Sequence, residues 1–151
     1  MELDGCKAMV VGGASGMARA TAERIAAGGG TVAIVDRPQS DGAEVAAGMG
    51  ASFHACDITD FDQTEAVVVE AVEALGGLHV AVNTAGGGIA ARTLSKEGPH
   101  DLEAFRRTID LNLIGTFNLN RLQAWHMSQG EPNEDGERGV VVNTASIAAF
   151  E

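Results

Sequence analysis

The sequence contains no tyrosine, one tryptophan, three prolines and only two cysteines in 151 residues. Without tyrosine, no phenol of this chain can serve as an acid or base. With so few prolines and no proline- or serine-rich stretch, no linker divides the chain. Cys6 and Cys56 lie far apart, make no disulfide framework and read as two small, reduced core residues of a cytoplasmic protein. His54, His79, His100 and His126 share no ligand spacing with one another or with the cysteines, so no metal centre is expected. Cations are scarce as well: 10 Lys and Arg stand against 21 Asp and Glu, a formal charge of −11. Nucleic acids and anionic membranes require a basic footprint, and none is present. No apolar run approaches the ~20 residues of a membrane helix. The opening MELDGCK does not have the basic-then-apolar pattern of a signal segment. A small molecule is the expected partner.

Apolar residues make up 45% of the chain and glycine contributes 20 positions. A chain of this length reads as one domain spanning 1–151, large enough to bury a core. Short apolar runs alternate with helical patterns. Strands are expected at Lys7–Val11, Thr31–Val35, Ala51–Cys56, His79–Val82 and Gly139–Asn143. Helices are expected at about Ser15–Ala27, Gln39–Gly50, Asp60–Leu75 and Asp101–Met127. Ala18, Ala22, Ile25 and Ala26 form the inner face of the first helix. Thr59 is positioned to cap the third, whose stripe is Val68, Val69, Val72 and Leu75. In the last, Leu102, Phe105, Ile109, Leu113, Phe117 and Leu122 recur at helical spacing, with Gly115 marking a close neighbour or a boundary between two helical pieces. Residues 89–101 form a loop, and QGEPNEDGER is a solvated acidic connection. The alternation implies right-handed βαβ crossovers and a parallel sheet.

One stretch carries chemistry. In Met9–Ala20, MVVGGASGMARA, an apolar strand runs into a glycine turn and then into a helix. The start of a helix offers unpaired backbone N–H groups and the positive end of its dipole, which suit a phosphate. Asp36 follows Gly12 by 24 residues at the end of the second strand. In a dinucleotide-binding unit an acid about 20 residues on accepts hydrogen bonds from the adenosine ribose. A carboxylate there repels a 2′-phosphate, so the reading is NAD rather than NADP. Arg37 beside it weighs the other way.

VVGGASGMA, Asp36, Cys56-Asp57-Ile58, Asn83-Thr84-Ala85-Gly86, Leu111-Asn112-Leu113-Ile114-Gly115 and Asn143-Thr144-Ala145-Ser146 occur in an order that resembles the short-chain dehydrogenase/reductase family. Residues 102–150 are similar to its type-2 3-hydroxyacyl-CoA (type-10 17β-hydroxysteroid) dehydrogenase branch. The resemblance implies a Rossmann-type doubly wound sheet of order 3-2-1-4-5 and NAD-dependent oxidation of secondary alcohols such as 3-hydroxyacyl-CoA or hydroxysteroids. It implies that Gly12, Ser15, Gly16 and Met17 wrap the pyrophosphate and nearby ribose, and that Asp36 holds the adenosine ribose. Asp57 and Ile58 would hold adenine, and Asn83, Thr84, Ala85 and Gly86 would steady the central strand. Asn112 would support a proton relay, and Ser146 would be the catalytic serine. It also implies a homo-oligomer, usually a tetramer.

Three substitutions depart from the family pattern: Val11 for threonine, Ala18 for the third glycine and Thr84 for asparagine. The family's general acid/base is a tyrosine, followed four residues later by a lysine, and both fall after the serine. Neither motif residue occurs between Ser146 and Glu151. The expectation is therefore the cofactor-binding part of a dehydrogenase, inactive by itself. Its domain would be cut after the fifth strand, with the later strands and helices outside these residues and one sheet face uncovered. The alternative is a noncatalytic nucleotide-binding or interaction protein.

Overall fold

The computed structural model describes residues 2–147; the end of the NTASIAAFE stretch, residues 148–151, lies outside them. Five strands, β1 (Lys7–Val11), β2 (Thr31–Asp36), β3 (Ser52–Ala55), β4 (Val80–Asn83) and β5 (Val140–Asn143), form one parallel sheet of order β3-β2-β1-β4-β5. The helices between them are α1 (Gly16–Ala27), α2 (Gly42–Met49), α3 (Phe61–Leu75), α4 (Leu102–Ile109) and α5 (Thr116–Ser128). A π-helical segment, Asp110–Gly115, joins the last two. The expected strand order and the doubly wound arrangement are both present.

Strand alternation divides the core in two. Odd positions Met9, Val11, Ala33, Val35 and Ala81 pack beneath α3 and α5, against Val68, Ala71, Leu75, Leu119 and Leu122. Even positions Ala8, Val10, Val32, Ile34 and Val82 face α1 and α2, against Ala18, Ala22, Ile25, Val45 and Ala46. The runs are apolar on both faces, as parallel strands require. On β5, Val141 packs against the first cluster, whereas Val140 and Val142 are exposed.

Some local expectations shift. Asp60 rather than Thr59 caps α3, accepting from the Gln63 N–H at 3.0 Å. Thr59 instead donates its N–H and hydroxyl to Asp57. The buried face of α3 is Thr64, Val67, Val68, Ala71 and Leu75, and Val69 is exposed. Gly42 is the first residue of α2, and a side chain there would overlap the Phe53 ring. The helix expected from 101 to 127 consists of two α-helical pieces joined by the π segment, and Gly115 stands at that boundary and against a close neighbour, Ile58. Leu122 is buried, but Leu102, Phe105, Leu113 and Phe117 of its apolar stripe are exposed.

Cys6 and Cys56 are both free and buried, and burial pushes both thiols up from their ordinary range. A thiol reagent at pH 8 is expected to label them at least ~100-fold more slowly in the folded protein than in denaturant, because the thiolate is the reactive form. Immediate titration of either thiol without denaturant would contradict this packing.

Candidate functional site

The C-terminal ends of β1, β2 and β4 open into a cleft of about 570 Å³, within the ordinary range for small-molecule sites. Its floor is the β1–α1 turn. Gly12 adopts φ +83° and Gly16 φ +55°, left-handed conformations that favour glycine. A Cβ on Gly12 would sit 2.8 Å from Thr84 Oγ1 and 3.0 Å from the Ala85 nitrogen, so the turn lies directly against the end of β4. Thr84 itself bonds to the Val11 carbonyl through its N–H and its hydroxyl. The departure from asparagine at 84 thus keeps a side-chain link between β4 and β1.

The N-terminus of α1 faces this cleft. Its N-cap, Ser15, makes no side-chain capping bond, and the first turn carries no acid. By contrast, the side chains of Asp60 and Asp101 cap α3 and α4. First-turn N–H groups without a capping side chain and an uncompensated helix dipole suit an anion. Asp36 borders the same space. Its Oδ2 accepts from the Ala14 N–H at 2.9 Å and its Oδ1 from the Arg37 N–H at 2.7 Å, so backbone groups fix the carboxylate on the turn. Asp57 lies on the same rim. The N–H of Thr59 and then its hydroxyl hold the Asp57 carboxyl below its ordinary range, with Arg37 adding to the effect. It is therefore ionised at neutral pH and able to accept from an amino group.

The cleft is lined by Gly12, Ser15, Gly16 and Met17 from the turn, by Asp36, and by Asp57 and Ile58. Thr84, Ala85 and Gly86 close it from β4. Ten of the eleven proposed binding residues thus meet in one place, although four elements contribute them. The eleventh, Asn83, points the other way. It is buried, and its amide exchanges hydrogen bonds with Gln123 of α5, 2.8 Å in each direction.

Asn112 sits outside the lining, in the middle of the π segment. Its amide donates to the carbonyls of Thr108 and Gly87, and its Oδ1 accepts from the Gly87 N–H at 3.0 Å. The side chain thus bonds the Thr108 carbonyl one helical turn earlier. It also ties the helix to the glycine loop after β4. Ser146 is exposed, lies three residues beyond the end of β5 and does not line the cleft. Sequence reading missed Arg107, Thr108 and Leu111, which border the cleft from α4 and the π segment. The i,i+4 spacing of Thr108 and Asn112 marks the face concerned.

The turn fits a dinucleotide on these observations: it leaves no room for side chains at Gly12, a helix start faces the cleft, and two carboxylates are held beyond it. The comparisons agree with the fold. The family model for short chain dehydrogenases matches residues 7–151. The type-2 3-hydroxyacyl-CoA dehydrogenase of Bos taurus is 47% identical over 97% of this chain and 58% of its own length. That of Drosophila melanogaster is 46% identical over 95% and 58%. A crystal structure of the Mycobacterium avium type-2 3-hydroxyacyl-CoA dehydrogenase superposes with a TM-score of 0.89 at 42% identity, covering 97% of this chain and 59% of that one. A 7α-hydroxysteroid dehydrogenase complexed with NADH and 7-oxo glycochenodeoxycholic acid gives 0.81 at 28% identity, over 99% of this chain and 56% of that one. The chain spans about 58% of the length of the curated relatives it matches. With six motifs in order, the 3-2-1-4-5 sheet and these matches, the chain belongs to the short-chain dehydrogenase family.

Proposed function

We propose that this chain is the NAD-binding part of an oxidoreductase that oxidises secondary alcohols, with 3-hydroxyacyl-CoA esters as the substrate class. The observation that carries the reading is the pairing of a helix start facing the cleft with the anchored Asp36 carboxylate on the same rim. The α1 N-terminus and the Gly12–Gly16 turn would hold the pyrophosphate. Asp36 would accept from the adenosine ribose hydroxyls and Asp57 from the adenine amino group, with Ile58 against its ring. The nicotinamide half then falls toward Thr84, Ala85 and Gly86. When bound, the nicotinamide supplies the hydride acceptor. Ser146 would donate a hydrogen bond to the substrate oxygen as its charge develops. Asn112, held at its carbonyl partners, would support the proton's exit route. Residues 1–151 would act as one unit, in a cytoplasmic homo-oligomer.

The test is a fluorescence titration of the chain with NADH and NADPH. Saturable NADH binding, at least about tenfold tighter than NADPH, is the expected result, since one charge–phosphate repulsion exceeds the 1.4 kcal/mol of a tenfold change. No binding at millimolar NADH would sink the reading. In the same preparation, turnover of a 3-hydroxyacyl-CoA is expected at background, because no tyrosine is available to take the alcohol proton. Turnover above background would show that another group of this chain performs that step.

A further inference from the structure

We infer that Gln123 is a positioning residue for the cleft: through an amide cluster centred on the buried Asn83 it sets the C-terminal ends of β4 and β5 relative to each other. The inference rests on the proposed cofactor site. Gln123 lies on α5 and is 0% exposed, an unusual place for a polar side chain. Its amide and that of Asn83 pair reciprocally: Gln123 Nε2 donates to Asn83 Oδ1 and Asn83 Nδ2 donates to Gln123 Oε1, both at 2.8 Å. The other hydrogen of Asn83 Nδ2 is shared between Asn143 Oδ1 at 3.0 Å and Asn120 Oδ1 at 3.1 Å. Asn83 and Asn143 are register partners at the ends of β4 and β5. One turn of α5 therefore holds the last residue of β4, and that residue in turn bonds the last residue of β5.

The cluster matters because both strands lead from it toward groups assigned to the site. Immediately after Asn83 come Thr84, Ala85 and Gly86, which line the cleft. Three residues after Asn143 comes Ser146. The Asn83 carbonyl accepts from the Thr144 N–H at 3.0 Å, continuing the strand pairing past the end of β5. Two amides bonded in both directions have one relative orientation, so rotation of Asn83 is blocked as long as Gln123 stays in place. A hydrophobic residue of the same size at 123 would fill the volume without fixing that orientation.

Gln123→Met tests this, because methionine matches the length of the side chain and lies beside Met9, whose sulfur is 3.7 Å from Gln123 Nε2. Binding of NADH and of AMP to the wild-type and variant chains is measured by titration. Amide hydrogen exchange at Thr84 and Thr144 is followed without ligand. The expected result is a loss of about tenfold in NADH affinity, AMP affinity unchanged within about twofold, and faster exchange at Thr144. AMP engages the Asp36, Asp57 and α1 end but not the Thr84–Gly86 end, so a general loss of structure would weaken both ligands equally, and that outcome overturns the inference. Unchanged binding of both ligands also overturns it and leaves the cofactor reading intact. A wild-type chain that binds neither overturns the cofactor reading and this inference with it. Asn143→Ala, at an exposed position, is the second variant and cuts only the β5 arm. It should give the same split with a smaller NADH loss, and an unaltered Thr144 exchange rate there would count against the cluster.

Discussion

Replacing Asp36 with alanine is expected to weaken NADH binding at least about tenfold and to remove the preference over NADPH. The carboxylate has two tasks. Each oxygen already accepts one backbone N–H, from Ala14 and from Arg37, and each retains a lone pair for a ribose hydroxyl. Hydrogen bonds to a charged acceptor contribute about 1.5–3 kcal/mol each, so losing one suffices for the tenfold change. The preference has a different origin. Two unit charges ~4 Å apart near a protein surface repel by ~4 kcal/mol, a penalty that a 2′-phosphate meets and a hydroxyl does not. With Asp36 gone, the exposed Arg37 that lines the same cleft is left facing the phosphate. The alanine variant also leaves the N–H of buried Ala14 without its acceptor, at a cost of roughly 1–3 kcal/mol in stability. Asp36→Asn separates the two tasks: it keeps an acceptor and the shape but loses the charge. It should recover part of the stability while still admitting NADPH. A competition titration in which both variants keep the wild-type cofactor preference would defeat the assignment.

How much of this was legible in the sequence depended on whether the physics was local. The turn, Asp36 and Asp57 each stand at the C-terminal end of an apolar run, and parallel βαβ units bring those ends to one edge. Spacing along the chain was therefore enough for the glycine turn and Asp36, and the family resemblance supplied the other cleft residues, Asp57 and Ile58 after β3 and Thr84 to Gly86 after β4 among them. The stripe from Leu102 to Phe117 was correct in period, yet periodicity reports that an apolar face exists and not what covers it. Four of its residues are exposed among the described ones. Asp60 and Thr59 are both good capping residues one position apart, and the choice was made by Asp57, which takes both Thr59 donors. Gly115 marked the boundary that ends the π segment, where it packs against Ile58, but not the widened turn before it, in which Asn112 bonds a carbonyl of the glycine loop 25 residues away. Gln123 was the least visible. A glutamine in a helix reads as solvated, and only the register of β4 against β5, with α5 across both, reveals a partner 40 residues distant.

Gly12→Ala is expected to destabilise the chain by about 3 kcal/mol, because two costs add. The first is conformational: at φ +83° an alanine pays ~1–2 kcal/mol. The second is space. The new methyl would meet Thr84 Oγ1 at 2.8 Å and the backbone of Ala85 at 3.0 Å. The hydroxyl is held by the Val11 carbonyl, and Ala85 is main chain, so neither yields cheaply. Overpacking of this kind typically costs a further ~1–3 kcal/mol. For a chain of this size each kcal/mol lowers Tm by roughly 2–4 °C, giving a drop of about 6–12 °C. Gly16→Ala is the internal control. Its φ of +55° also lies in the left-handed region, but nothing stands within 4 Å of its added Cβ. It therefore pays the conformational cost alone and should lose only ~2–8 °C. In binding the order reverses for one reason: the open space at Gly16 is where the phosphate is assigned, so Gly16→Ala should weaken NADH while remaining well folded. Thermal unfolding and NADH titration of the two variants decide the matter. Equal Tm losses would show that β4 does not press on the turn. Unaltered NADH affinity in Gly16→Ala would move the pyrophosphate away from the start of α1.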